Sequence, residues 1–112
     1  MSVSDQIMKG LLDGAILGLI SQGETYGYEI TKKLEAHKFP GISEGSIYPV
    51  LLRLSKKGYV NTRMVKSDSG GPKRKYYSIS ERGKEELKIF KEKWEKLNSG
   101  MNSLVRGELD VE

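Results

Sequence analysis

Ser43-Glu-Gly-Ser-Ile-Tyr-Pro-Val-Leu-Leu-Arg-Leu-Ser-Lys-Lys-Gly-Tyr-Val-Asn-Thr-Arg-Met-Val65 changes its hydrophobic period in the middle. Up to Lys57, Ile47, Val50, Leu51 and Leu54 recur at helical spacing, with Ser43 as N-cap and Gly58 as the C′ residue. Beyond Tyr59 the period is 2: Val60, Thr62 and Met64 alternate with Asn61, Arg63 and Val65. Pro49 is awkward in such a helix, because it lacks the N–H of an interior turn. Either the helix begins near Tyr48 or its first turn is distorted.

Downstream, Lys66 to Lys73 consists almost wholly of turn formers, and Tyr76-Tyr-Ser-Ile79 resumes the alternation. Residues 59–80 therefore read as a β-hairpin with a long basic tip. Ser80 caps a last helix whose Leu87, Phe90, Trp94, Leu97, Met101 and Leu104 fall 3, 4, 3, 4 and 3 residues apart. Asn98, Ser99 and Gly100 weaken that helix, so a bend or frayed end is expected beyond residue 100.

Upstream, Ile7, Leu11, Ala15 and Leu19 set a helix over residues 5–20, and Gly10, Gly14 and Gly18 form a stripe suited to close approach by another element. Thr25 is read as the N-cap of a helix from Tyr26 to His37, which Phe39-Pro-Gly41 stops. The fold class is mainly α with a β-hairpin: a winged helix-turn-helix over residues 1–80, then a C-terminal dimerisation helix and tail over 81–112.

Charge points to a partner. The chain carries +4 overall, yet Arg53 to Tyr77 holds eight Lys or Arg and one acid, Asp68; that is +7 locally, which leaves −3 elsewhere. A basic centre in a slightly acidic chain suits a phosphate-binding surface, although a solvated basic face has the same composition. In a winged helix, Ser43, Glu44, Ser46, Tyr48, Pro49 and Arg53 face a major groove. Lys73, Arg74 and Lys75 meet backbone or minor groove, with Tyr28 and Lys32 on helix two as phosphate contacts. A mobile wing whose charges only aid solubility is the alternative.

With no cysteine in the chain, disulfides and Cys-ligated zinc are excluded. One His, no recognisable carboxylate pair and no phosphate loop leave no basis for an enzyme, a metal or a cofactor. His37 reads as a helix-end contact. The longest apolar stretch, Leu11 to Ile20, is too short to span a bilayer and has no signal-peptide flank, so a cytoplasmic location is expected. The Leu87–Leu104 seam either pairs with a second copy, making a homodimer together with Leu11, or folds back on helix one. Trp94 on it serves as core, or as a platform for a planar aromatic ligand.

Thr25-Tyr-Gly-Tyr-Glu-Ile30, Gly45-Ser-Ile-Tyr-Pro-Val-Leu51, Arg53-Leu54 with Lys57-Gly58, and Arg74-Lys-Tyr-Tyr-Ser-Ile-Ser80 followed by Gly83 occur in that order. Through them the chain resembles the PadR-like transcriptional regulators, in particular the small subfamily with one C-terminal helix. The resemblance implies a homodimeric winged-helix regulator, often a repressor, which phenolic or other aromatic compounds release from promoter DNA at an inverted repeat. It also implies an effector site at Trp94, with Asp13 and Gly14 in the matching part of helix one and Lys91 where other members place an aromatic. The reading from another class is a winged-helix protein-interaction module without sequence-specific DNA binding.

Overall fold

The computed structural model describes residues 3–66 and 70–107. The order is α1 (Val3–Ser21), β1 (Thr25–Tyr26), α2 (Gly27–Ala36), α3 (Glu44–Lys56), β2 (Val60–Val65), β3 (Arg74–Ile79) and α4 (Glu81–Arg106). The strands form one antiparallel sheet in the order β1-β3-β2. This is the winged helix-turn-helix with a C-terminal helix that the periodicities require.

Three helices enclose the core. Leu12, Ile16, Leu17 and Ile20 of α1 meet Ile30 and Leu34 of α2 and Ile47, Val50, Leu51 and Leu54 of α3, and Val60 and Tyr77 close it from the sheet. Each such aliphatic side chain contributes about 1.5–3 kcal/mol on burial, so the stripes that set the helices also hold them together. The packing of Ile7 and Gly10 lies outside the described residues, as do the hairpin-tip positions 67–69 and the tail 108–112.

The caps at α3 and α4 are those expected. At α3, the Ser46 N–H donates to Ser43 Oγ (3.3 Å) and the Ser43 N–H to Ser46 Oγ (2.9 Å), a reciprocal capping box. This helix starts at Glu44, not near Tyr48, and Pro49 lies inside it. The carbonyl that loses its donor belongs to Gly45, which is exposed, so water satisfies it. At the other end Gly58, with φ of 78°, lets the chain leave in the left-handed region. The Tyr59 N–H then returns to the Leu54 carbonyl at 2.9 Å.

Two expectations need correction. Thr25 does not cap α2: it pairs with Tyr77 in a two-residue strand, Tyr26 takes the N-cap position without a side-chain bond, and the Thr25 hydroxyl donates to Glu29 (2.5 Å). A strand so short carries no alternation to read. Helix α2 ends where expected, at Ala36 with His37 as C-cap, and Lys38 (φ 69°) and Gly41 (φ 65°) turn the chain away. The predicted weak point in α4 is absent, since the helix runs unbroken through Asn98, Ser99 and Gly100 to Gly107 in the left-handed region. Helical hydrogen bonds outweigh three poor propensities in a 26-residue helix.

Helix α4 departs from the sheet at a tight junction. The Ser80 hydroxyl accepts from the Gly83 N–H (3.0 Å) and donates to the Gly58 carbonyl (2.6 Å), while the Ser80 N–H donates to the Tyr59 carbonyl (3.0 Å). Gly83 is buried against that same carbonyl: a Cβ there would lie 2.0 Å from the Tyr59 oxygen. Backbone cannot yield as a flexible side chain does. Gly83→Ala is therefore expected to destabilise the fold by about 1–3 kcal/mol, seen as a lower urea midpoint with the slope unchanged; an unshifted midpoint would refute the close contact.

Candidate nucleic-acid interface

Helix α3 has four sides. The stripe of Ile47, Val50, Leu51 and Leu54 is buried. Glu44 and Tyr48 lie on one flank, at the mouth of a cleft of about 550 Å³ whose far wall is the wing, from Gly71 to Lys75. Arg53 lies on the other flank, against α1. The fourth side, opposite the core, carries Gly45, Pro49, Leu52 and Lys56, spaced i, i+4, i+7 and i+11, and all four are exposed.

The cleft gathers much of what the sequence nominated. Tyr28 enters from the first turn of α2, Glu44 and Tyr48 from α3, and Lys73, Arg74 and Lys75 from the wing. Gly27 permits this closeness, because a Cβ on it would stand 3.1 Å from the Tyr48 hydroxyl. That hydroxyl donates to Glu44 Oε2 (3.2 Å), and partial burial and the Glu44 carboxylate together raise the phenol above its ordinary pKa. Tyr77, deeper in, is raised by burial and then by Tyr48. Both phenols are therefore neutral and able to donate near pH 7.

One of the wing's basic side chains, Arg74, rests on an aromatic ring. The Arg74 guanidinium lies 4.2 Å from the centroid of Tyr26, whose ring packs on Tyr76 at 5.2 Å. On the same sheet face Arg63 reaches across β3 and grips Glu24 through Nε and Nη2, both at 2.6 Å. The Glu24 carboxylate is held below its usual pKa by that hydrogen bond, and Arg63 is raised in turn. Lys32 lies beside the Tyr28 ring at 5.3 Å, one turn along α2.

Other nominated residues are placed differently. Arg53, expected to face outward, turns back to α1 and binds Asp13 through Nε (3.1 Å) and Nη2. Its position borders the buried stripe, and the nearest acid is there, raising the guanidinium pKa further. Asp13, nominated for an effector, is thus occupied by Arg53. Ser43 and Ser46 are committed to capping each other. Gly14 lies under the Phe90 ring, where a Cβ would come within 2.2 Å. His37 bonds the Lys33 carbonyl at the end of α2 (2.8 Å).

The apolar seam of α4 is divided. Leu87 and Phe90 are half-buried on the chain's own α1, beside a half-buried Leu11, whereas Trp94, Leu97, Met101 and Leu104 are exposed. Trp94 and Gly14 border one mainly apolar groove of about 470 Å³ between α1 and α4; Asp13 does not line it. Gly45, Leu52 and Lys56 were not singled out from sequence, although their spacing with Pro49 was legible. Tyr26 as the seat of Arg74 was not, since it depends on the β1–β3 register.

A helix-turn-helix with a basic wing facing the start of its third helix defines a winged-helix protein. Residues 16–89 match the model of the transcriptional regulator PadR-like family. The chain belongs to the PadR-like family of transcriptional regulators, which is not a family of enzymes. A crystal structure of a PadR-like transcriptional regulator from Bacillus cereus strain ATCC 14579 is 47% identical, with a TM-score of 0.81 over 89% of this chain and 96% of that one. The negative transcriptional regulator PadR of Bacillus subtilis is 37% identical over 69% of this chain, which spans only 43% of that longer protein. A crystal structure of Bacillus subtilis PadR in complex with operator DNA is 32% identical, with a TM-score of 0.65 over 71% of this chain and 46% of that one. No described helix is long and apolar enough to cross a membrane.

The Glu24–Arg63 pair gives a pH signature. A carboxylate whose folded pKa is lowered contributes stability that is fully present above its unfolded value, about 4.3, and is lost as pH falls through the folded value. Chemical denaturation of the wild type and Glu24→Gln is expected to show a small difference at pH 7 that disappears as pH falls through the lowered Glu24 value, below the usual carboxylate range. A difference that persists undiminished in acid would show that the ion pair is not its source.

Proposed function

We propose that this chain is a cytoplasmic, homodimeric transcriptional repressor that binds an inverted repeat in promoter DNA. Residues 1–80 bind the duplex and residues 81–112 join the two copies. Helix α3 enters successive major grooves, Tyr28 and Lys32 meet the backbone beside it, and Lys73, Arg74 and Lys75 hold the flanking backbone or minor groove. What carries this reading is the cleft in which three basic wing residues face the first turns of α2 and α3. The operator-bound Bacillus subtilis relative and its name as a negative regulator support it. Arg53, bound to Asp13, positions α3 in this reading and does not touch DNA.

Dimerisation follows from the divided seam. Trp94, Leu97, Met101 and Leu104 form an apolar stripe that is exposed among the described residues, and a helix with such a seam pairs. Two Trp94 rings beside the α1–α4 groove are then available to hold a flat aromatic effector whose binding releases the DNA.

In gel-shift titrations across salt, Arg74→Ala and Lys75→Ala are each expected to weaken binding to specific and competitor duplexes alike, and to flatten the salt dependence by about one counterion. An unchanged salt slope in both would remove the wing from the interface. Leu97→Glu, which places charge on the seam, is expected to sediment as a folded monomer. Trp94 emission in the wild type should quench with a planar dye such as acridine, and far less in that monomer. A Leu97→Glu dimer would remove the seam from the interface, and equal quenching in both proteins would place the ligand elsewhere.

A further inference from the structure

The outward stripe of α3 carries little that can exchange hydrogen bonds with a base. Of its four residues, Gly45, Pro49 and Leu52 have no polar side-chain atom, and Leu52 is 57% exposed. Leu52 and Pro49, side by side opposite the core, give the outward side of α3 an apolar centre. Lys56, at the far end, presents a flexible point charge of the kind that meets phosphate.

The polar side chains of α3 that base recognition would ordinarily use are engaged within the protein. The Ser46 hydroxyl donates to the Ser43 carbonyl (2.7 Å) and accepts from the Ser43 N–H, while Ser43 Oγ accepts from the Ser46 N–H. Glu44 accepts from the Tyr48 hydroxyl, and Arg53 is bound through two nitrogens to Asp13. Releasing any of them to meet a base edge means breaking a bond already made. Ser43 and Ser46 would also surrender the cap that starts the helix.

We propose, on the DNA-binding reading above, that α3 reads its site mainly by apolar contact: Leu52 and Pro49 pack against thymine C5-methyl groups in the major groove. That methyl is the only apolar feature by which one standard base differs from the others at that edge. The cleft wall of Lys73, Arg74 and Lys75 supplies the charge complementarity that brings the duplex there, and Leu52 and Pro49 decide where along it the protein stops. Thymine is thereby distinguished at a few positions.

The test uses duplexes enriched by the full-length chain from a random library. Thymines in the enriched site are replaced one at a time by deoxyuridine, which removes the methyl and leaves the pairing edge intact. Replacement at one or two positions in each half-site is expected to weaken binding about fourfold, the effect of one methyl-sized group returned to water. Leu52→Ala should weaken binding to the thymine duplex and become indifferent to deoxyuridine at its own position, with Pro49→Ala doing the same at a neighbouring one. Leu52 is exposed, so its truncation leaves the core intact, as a circular dichroism melt will verify. The proposal is overturned if deoxyuridine is tolerated everywhere, or if Leu52→Ala loses the same factor on thymine and deoxyuridine duplexes. No enrichment of any sequence would instead take down the DNA-binding reading itself.

Discussion

One backbone junction fixes the relation between the third helix, the wing and the long last helix. At Gly58-Tyr59 the chain leaves α3 and enters β2; at Ser80 to Gly83 it leaves β3 and enters α4. The two segments are bound by the Ser80 hydroxyl on the Gly58 carbonyl and the Ser80 N–H on the Tyr59 carbonyl, and Gly83 lies against that last oxygen. A side chain at Gly83 would separate the base of the wing from the start of α4, and a non-glycine at Gly58, where φ is 78°, would strain the exit from α3. The wing stands where it does relative to α3 because this joint holds its base, while Arg63–Glu24 and the Thr25–Tyr77 pairing hold its flank.

Features set by local chemistry were legible in the sequence. Ser43 and Ser80 cap because a serine hydroxyl reaches the N–H three residues on, and Gly58 closes α3 because its neighbours do not tolerate its φ. The hairpin followed from alternation, and the core from the stripes. What was not legible depends on partners distant in the chain. Arg53 lies 40 residues from Asp13, and a helical wheel alone places it at the edge between buried and outward sides, so its direction is decided by a carboxylate on another helix. β1 exists because β3 is there to pair with it. The α4 seam looks uniform in sequence, and its division into a half-buried start and an exposed remainder depends on how far it lies against α1.

The basic segment is smaller in effect than its composition suggests. Of its eight Lys or Arg, Arg53 and Arg63 are bound to carboxylates, and Arg74 is stacked on Tyr26. Such exposed or half-exposed pairs contribute little net stability. Their effect is geometric: Arg53 fixes α3 to α1, and Arg63 fixes the wing to the segment before β1. Exposed cations remain at the wing edge of the cleft, Lys73 and Lys75, and at the far end of α3, Lys56 and Lys57.

Helix α1 supports both functional elements with consecutive residues. Asp13 holds the Arg53 guanidinium of α3, and Gly14 receives the Phe90 ring of α4. Gly14 also borders the groove beside Trp94. A body seated in that groove, whether a partner's helix or a flat ligand, bears on the same turn of α1 that anchors α3.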